Sequence, residues 1–193
     1  MLKQYYLACL SHASYLVGDT VSGRAVVVDP QRDVAQYLAD AKEQGLKIER
    51  VVETHFHADF LSGHLELAGE TGAKISYGSA AAGLTDFEID PLVHGQRLSL
   101  GQVELEIFET PGHTPESICI VVRESADIAP HAVLTGDIDI RVGLVHLAPD
   151  RRAVWEDHIA RAESAVPADF ESNGFVVQAL QGAWSAIHGT PEP

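Results

Sequence analysis

Short apolar runs punctuated by Gly, Pro and Asp fill the first two thirds of the chain, and their periods predict strands alternating with a few helices. Ser14-Tyr-Leu-Val-Gly18 and Arg24-Ala-Val-Val-Val-Asp29, joined by Asp19-Thr-Val-Ser-Gly23, read as a hairpin that Pro30 closes. From Asp33 to Gln44 the apolar positions Val34, Tyr37, Leu38 and Ala41 follow helical spacing, with Gly45 as the stop. Residues 49 to 53 predict a buried strand, and helical spacing returns from Gly63 to Thr71 through Leu65, Leu67 and Ala68. The segment between them, Thr54-His-Phe-His-Ala-Asp-Phe60, is therefore a strand-to-helix loop, where sheet proteins place ligands and catalytic groups.

A strand is predicted at Ala73 to Tyr77, then an irregular Gly- and Ala-rich stretch to about Leu92. Strands follow at Arg97 to Leu100 and Val103 to Glu109, at Ser117 to Val122, and at Ala132 to Thr135, the last running into Gly136-Asp137. Beyond that, Trp155, Ile159, Ala162 and Val166 predict an amphipathic helix over Arg151 to Val166. A second is expected from Phe175 to Ile187, with a frayed tail from Gly189.

A length of 193 residues suits one domain, 1–193, and the ordinary balance of 46% hydrophobic and 21% charged residues supports a buried core. The formal net charge of -15 repels phosphate backbones and anionic lipid head groups, so neither nucleic acid nor a membrane surface is an expected partner. Cys9 and Cys119 are too few for a disulfide framework and sit in apolar runs, which predicts that both are buried small hydrophobes. The start of the chain has neither a basic region followed by a long apolar stretch nor an 18-residue apolar span downstream, which predicts a soluble, cytoplasmic protein.

Three loops at strand ends carry the candidate chemistry: His55 and His57, then His113, then Asp137. On extended backbone alternate residues share a face, so His55, His57 and Asp59 are expected to line one wall of a pocket. Taken singly, a loop histidine, a Pro-Gly-His-Thr-Pro turn and a Thr-Gly-Asp cap all have ordinary structural readings. Their order and their common position at strand ends make the set specific to metal binding. The other histidines, His12 and His64 among them, are expected at the surface or behind the site.

Thr54-His-Phe-His-Ala-Asp, Thr110-Pro-Gly-His-Thr-Pro and Leu134-Thr-Gly-Asp resemble the successive metal motifs of the metallo-β-lactamase superfamily, with the resemblance running from about residue 5 to residue 140. The flanks Glu53-Thr-His-Phe-His-Ala-Asp-Phe-Leu-Ser-Gly-His64 and Thr110-Pro-Gly-His-Thr-Pro-Glu-Ser are most similar to persulfide dioxygenases and their relatives fused to rhodanese domains; no rhodanese domain is present in this sequence. The resemblance implies an α/β (α+β) fold, an αββα sandwich of two mixed β-sheets flanked by helices, with a metal at its edge. Residues 141–193 do not resemble the family's closing segment and read as divergent or truncated.

Most hydrolases of this superfamily resemble one another in a His-x-His-x-Asp-His motif that serves two zinc ions, but Phe60 stands here where the last histidine would be. Phenylalanine has no donor atom, so the second site loses a ligand. By resemblance the remaining site is mononuclear, with Fe(II) on His55, His113 and Asp137, and His57 and Asp59 orienting ligands or water. The implied activity is oxidation of glutathione persulfide, or a similar low-molecular-weight persulfide, by O₂ to sulfite. Two alternatives stand beside it: a zinc-dependent hydrolase of glutathione thioesters like hydroxyacylglutathione hydrolase, and a non-catalytic protein with a degenerate metal site. The resemblance also makes a homodimer the assembly to test.

Overall fold

The computed structural model describes residues 1–10, 12–125 and 130–137. The helices expected at 151–166 and 175–187 lie outside these residues.

β1 (Leu2–Leu7), β2 (His12–Asp19), β3 (Arg24–Val28), β4 (Lys47–Val52) and β5 (Lys74–Ser76) form a five-stranded sheet in the order β1-β2-β3-β4-β5. The first two pairings are antiparallel and the last two parallel. α1 (Ala35–Glu43) connects β3 to β4 and α2 (His64–Thr71) connects β4 to β5, as parallel neighbours require. A second sheet, β6 (Arg97–Ser99), β7 (Glu104–Glu109), β8 (Ile118–Arg123) and β9 (Ala132–Leu134), is antiparallel throughout. The first sheet is mixed, as expected; the second, among the described residues, is not.

β3 explains the layering. It is central and buried on both faces, so its apolar run does not alternate with polar residues. Val26 and Val28 join Val17 and Val52 in a cluster with Leu105, Ile107, Ile118 and Ile120 of the other sheet. Ala25 and Val27, on the opposite face, pack with Tyr37 and Ala41 of α1 and Leu67 of α2. Each fully buried valine contributes about 1.5–3 kcal/mol, so this one strand commits the sheet to a partner on both sides.

A polar latch also joins the sheets. Asp19, the last residue of β2, accepts the Val21 N–H at 2.9 Å and the Gln102 N–H, from the turn between β6 and β7, at 2.7 Å. Ser22 Oγ donates to the Leu100 carbonyl beside it. Gly101 has φ +124°, and a Cβ there would collide with the Asp19 carboxylate, so only glycine permits this approach.

β1 was not among the predicted strands; its pattern is only partly buried, and pairing with β2 rather than an apolar face defines it. Cys119 is buried as expected, whereas Cys9 is exposed, because it falls in a short 3₁₀ turn after β1 that contributes nothing to the core. No helix among the described residues is long and apolar enough to cross a membrane.

Candidate metal centre

The ends of β3, β4, β7 and β9 deliver the site. Backbone bonds bring the two sheets together there: the Ile118 N–H donates to the Thr54 carbonyl at 2.9 Å, and the Phe56 N–H donates to the buried Glu116 carboxylate at 2.8 Å. Gly136, at φ +55°, lies against the Thr54 side chain so closely that a Cβ would overlap it. That glycine lets the chain turn past Thr54 and present Asp137.

One nitrogen each from His55 and His113 and one oxygen from Asp137 lie within 4.8 Å of one another. The His55 and His113 rings meet edge to face with centroids 5.0 Å apart, and His113 Nε2 is 4.0 Å from Asp137 Oδ2. Adjacent donors around an ion at about 2.1 Å stand about 3 Å apart, so modest rotamer shifts of the more exposed His113 and Asp137 would close the set. His55 is the fixed member, buried at 2% exposure.

Its tautomer follows from its neighbours. Thr54 Oγ1 donates its only proton to Asp29 Oδ2 at 2.8 Å and can therefore only accept from His55 Nδ1, 3.0 Å away. Nδ1 carries the ring proton, and Nε2 keeps its lone pair for an ion. Burial and the neighbouring His57 hold the His55 pKa below its ordinary value, which favours the same neutral, ligating form.

His57 does not join that trio. Its Nε2 lies 3.0 Å from Asp29 Oδ1 and 3.3 Å from Glu53 Oε2, forming a second, buried group of Asp29, Glu53 and His57. The ionised Asp29 only accepts, so Nε2 carries a proton. Burial would lower the His57 pKa, but the two carboxylates outweigh it and push it up to about 10. Burial also raises the Glu53 carboxyl, to about 7, with Ser62 Oγ donating to it at 2.6 Å. Asp29 is held below the usual carboxylate range despite its burial, by His57 and by the Thr54 N–H and hydroxyl.

Asp59 is exposed and belongs to neither group. The His55 and His57 rings do stand together, with centroids 4.0 Å apart, but the strand ends at Val52 and the chain bends after it, so Asp59 is not carried onto the same wall.

Asp29 and Glu53, which the sequence did not single out, belong to the site, and His12, expected at the surface or behind it, lies behind it. Asp29 and Glu53 are acids placed directly after apolar strands, and Asp29 has φ +48°, an uncommon conformation for a residue other than glycine. His12 is buried at 8% exposure against the ring of Phe60, with centroids 3.9 Å apart, and its ring lies 6.0 Å from that of His57. Neither His12 nitrogen has a hydrogen-bond partner among the described residues, and burial holds its pKa below the ordinary value. Phe60 thus fills the space between His12 and His57, 4.4 Å from the latter by ring centroids. Beside His57 opens a cavity of about 350 Å³ walled largely by Phe56, Phe60, Leu61, Tyr77, Leu84 and Phe87.

Residues 7–169 match the family model of the metallo-beta-lactamase superfamily. The chain belongs to that superfamily. Its members are metal-dependent enzymes, and the match runs past residue 141, where the sequence was expected to diverge. The chain is 30% identical over 171 residues to a hydroxyacylglutathione hydrolase of Cereibacter sphaeroides, covering 87% of this chain and 64% of that protein. It is 32% identical over 126 residues to the mitochondrial persulfide dioxygenase ETHE1 of Bos taurus, covering 64% of this chain and 48% of that one. The matches thus span less than two thirds of either relative's length. Among solved structures, a metallo-beta-lactamase from Staphylococcus aureus superposes with a TM-score of 0.65 at 37% identity, over 71% of this chain and 43% of that one. ETHE1 from Myxococcus xanthus superposes with a TM-score of 0.55 at 28% identity, over 63% and 53%.

Proposed function

We propose that this superfamily member holds one Fe(II) on His55, His113 and Asp137 and oxidises a low-molecular-weight persulfide such as glutathione persulfide. The observation that carries the reading is the donor set: two imidazole nitrogens and one carboxylate oxygen within 4.8 Å, with Phe60 filling the position at which a dinuclear site needs a further histidine. A two-histidine, one-carboxylate face leaves positions open for a sulfur ligand and O₂, and that is the chemistry the ion supplies. With one water consumed, RSSH and O₂ give RSH, sulfite and two protons.

The chain's own residues hold this chemistry. Thr54 fixes the tautomer of His55 and Asp29 anchors Thr54. His57, held through Nε2 with its ring centroid 4.0 Å from that of His55, can donate from Nδ1 to an anionic sulfur or oxygen bound there. Phe60 and the aromatic residues at the cavity beyond it, Phe56, Tyr77 and Phe87, offer apolar surface to the substrate beside polar groups such as Ser62 and Thr85.

A second reading is a zinc-dependent thioester hydrolase, supported by the named activity of the Cereibacter relative. Oxygen uptake by the iron-loaded chain on adding glutathione persulfide, with sulfite as product, separates the two. Uptake matched by sulfite supports the dioxygenase; hydrolysis of S-lactoylglutathione by the zinc form, without oxygen uptake by the iron form, replaces it.

A further inference from the structure

At the opposite end of the parallel strands the charge pattern reverses. β3, β4 and β5 all end near the candidate metal centre, and all begin at a cavity of about 460 Å³ into which five cationic residues project: Arg24, Lys47, Arg50, Lys74 and Arg97. A strand of five or six residues is about 17–20 Å long, so the two ends are separate places on the molecule. The whole chain has only 13 Lys and Arg against 28 Asp and Glu, so five of its cations converge on one cavity of an acidic protein.

The acids beside them do not use up this charge. Arg24 pairs with Glu49 at 2.8 Å, Arg50 with Asp90 at 2.8 Å, and Arg97 with Glu104 at 3.0 Å and Glu106 at 3.5 Å. A guanidinium has five N–H groups, and these contacts leave each arginine with donors to spare. Lys74 is 3.7 Å from Asp90, whereas Lys47 is exposed and has no acidic partner among the described residues. Set against those four carboxylates, the five cations keep a net positive charge. Of the apolar residues bordering the cavity, Val26, Ile48 and Leu100 are buried in the core, so cationic and polar side chains dominate its accessible lining.

We propose that this cavity binds a small phosphorylated anion, of the size and charge of a nucleoside diphosphate. Cavities of about 300–1,000 Å³ suit small-molecule ligands. The forked arginines match phosphate oxygens, and the lysines add point charges. The acidic exterior repels macromolecular polyanions, so a ligand small enough to sit wholly inside the positive cavity is favoured over nucleic acid.

The test is titration of ¹⁵N-labelled, zinc-loaded full chain with ADP and with adenosine, followed through backbone amide shifts. ADP should give saturable shifts at Arg24, Lys47 and Lys74, and adenosine should bind about tenfold or more weakly. Raising the salt to about 0.5 M should weaken ADP by a similar factor, because the Debye length then falls to a few ångströms. Lys47→Ala, a change at an exposed side chain, should weaken ADP severalfold, and Lys47→Glu with Lys74→Glu about tenfold or more while leaving metal content unchanged. No saturation by about 5 mM ADP would overturn the proposal. So would shifts confined to residues near His55, which would mean chelation at the metal, or undiminished binding by the double variant.

Discussion

Thr54 Oγ1 stands 3.0 Å from Nδ1 of His55 and, having given its proton to Asp29, can only accept there. A buried hydroxyl thus selects the histidine tautomer whose other nitrogen faces an ion. Thr54→Val keeps the shape and removes the hydroxyl, leaving His55 Nδ1 unpaired and Asp29 short of a donor. Metal affinity should fall about 10–100-fold, as for other groups that orient metal-bound histidines. Competition with a chromophoric chelator measures it, and unchanged affinity would show that His55 is oriented by packing alone.

The turn holding the two sheets together makes a backbone prediction. Gly101→Val puts a β-branched side chain at φ +124° and against the Asp19 carboxylate. Unfolding in urea should show a loss of about 2–4 kcal/mol. A wild-type midpoint would mean that the turn rearranges freely.

The same latch should be sensitive to acid. The Gln102 and Val21 N–H groups hold the Asp19 carboxyl below the usual carboxylate range, outweighing its burial. The folded state therefore binds this proton more weakly than the unfolded chain. Its stabilisation is complete above the unfolded value of about 3.9 and is lost as pH falls through the lower folded value. Urea midpoints of wild type and Asp19→Asn should differ near neutral pH and converge as the pH is lowered through the folded value. A constant offset across that range would mean that the carboxylate's charge plays no part.

The two cysteines should react differently. Burial pushes the Cys119 thiol up to about 11, whereas Cys9 is exposed. A thiol reagent near about pH 8 should label Cys9 quickly and Cys119 only after unfolding. Rapid double labelling of the folded chain would contradict the buried position of Cys119 in β8.

Much of this architecture was legible in periodicity. The runs at Arg24 to Asp29 and Val103 to Glu109 became β3 and β7 within a residue or so, and the helix expected from Asp33 to Gln44 became α1. These elements bury a face or a stripe, and burial is what hydrophobic spacing records. β1 escaped because its order comes from pairing with β2. His55, His113 and Asp137 were legible as strand-end residues, and the structure brings them together. Asp29 and Glu53 were not, because each sits at the boundary of an apolar strand, where a polar residue ordinarily marks the end of burial; here both are buried. That His57 groups with Asp29 and Glu53 likewise depends on carboxylates distant in sequence or at the end of the preceding strand.

The central claim is that His55, His113 and Asp137 hold a single ion, and metal content tests it most directly. Iron and zinc per chain should be measured by elemental analysis of anaerobically purified wild type and His113→Ala, with circular dichroism to confirm that both are folded. About one iron per chain in wild type, falling to about a tenth or less in the variant, is the predicted result. Full iron content in a folded His113→Ala protein, or two zinc ions per wild-type chain, would contradict it.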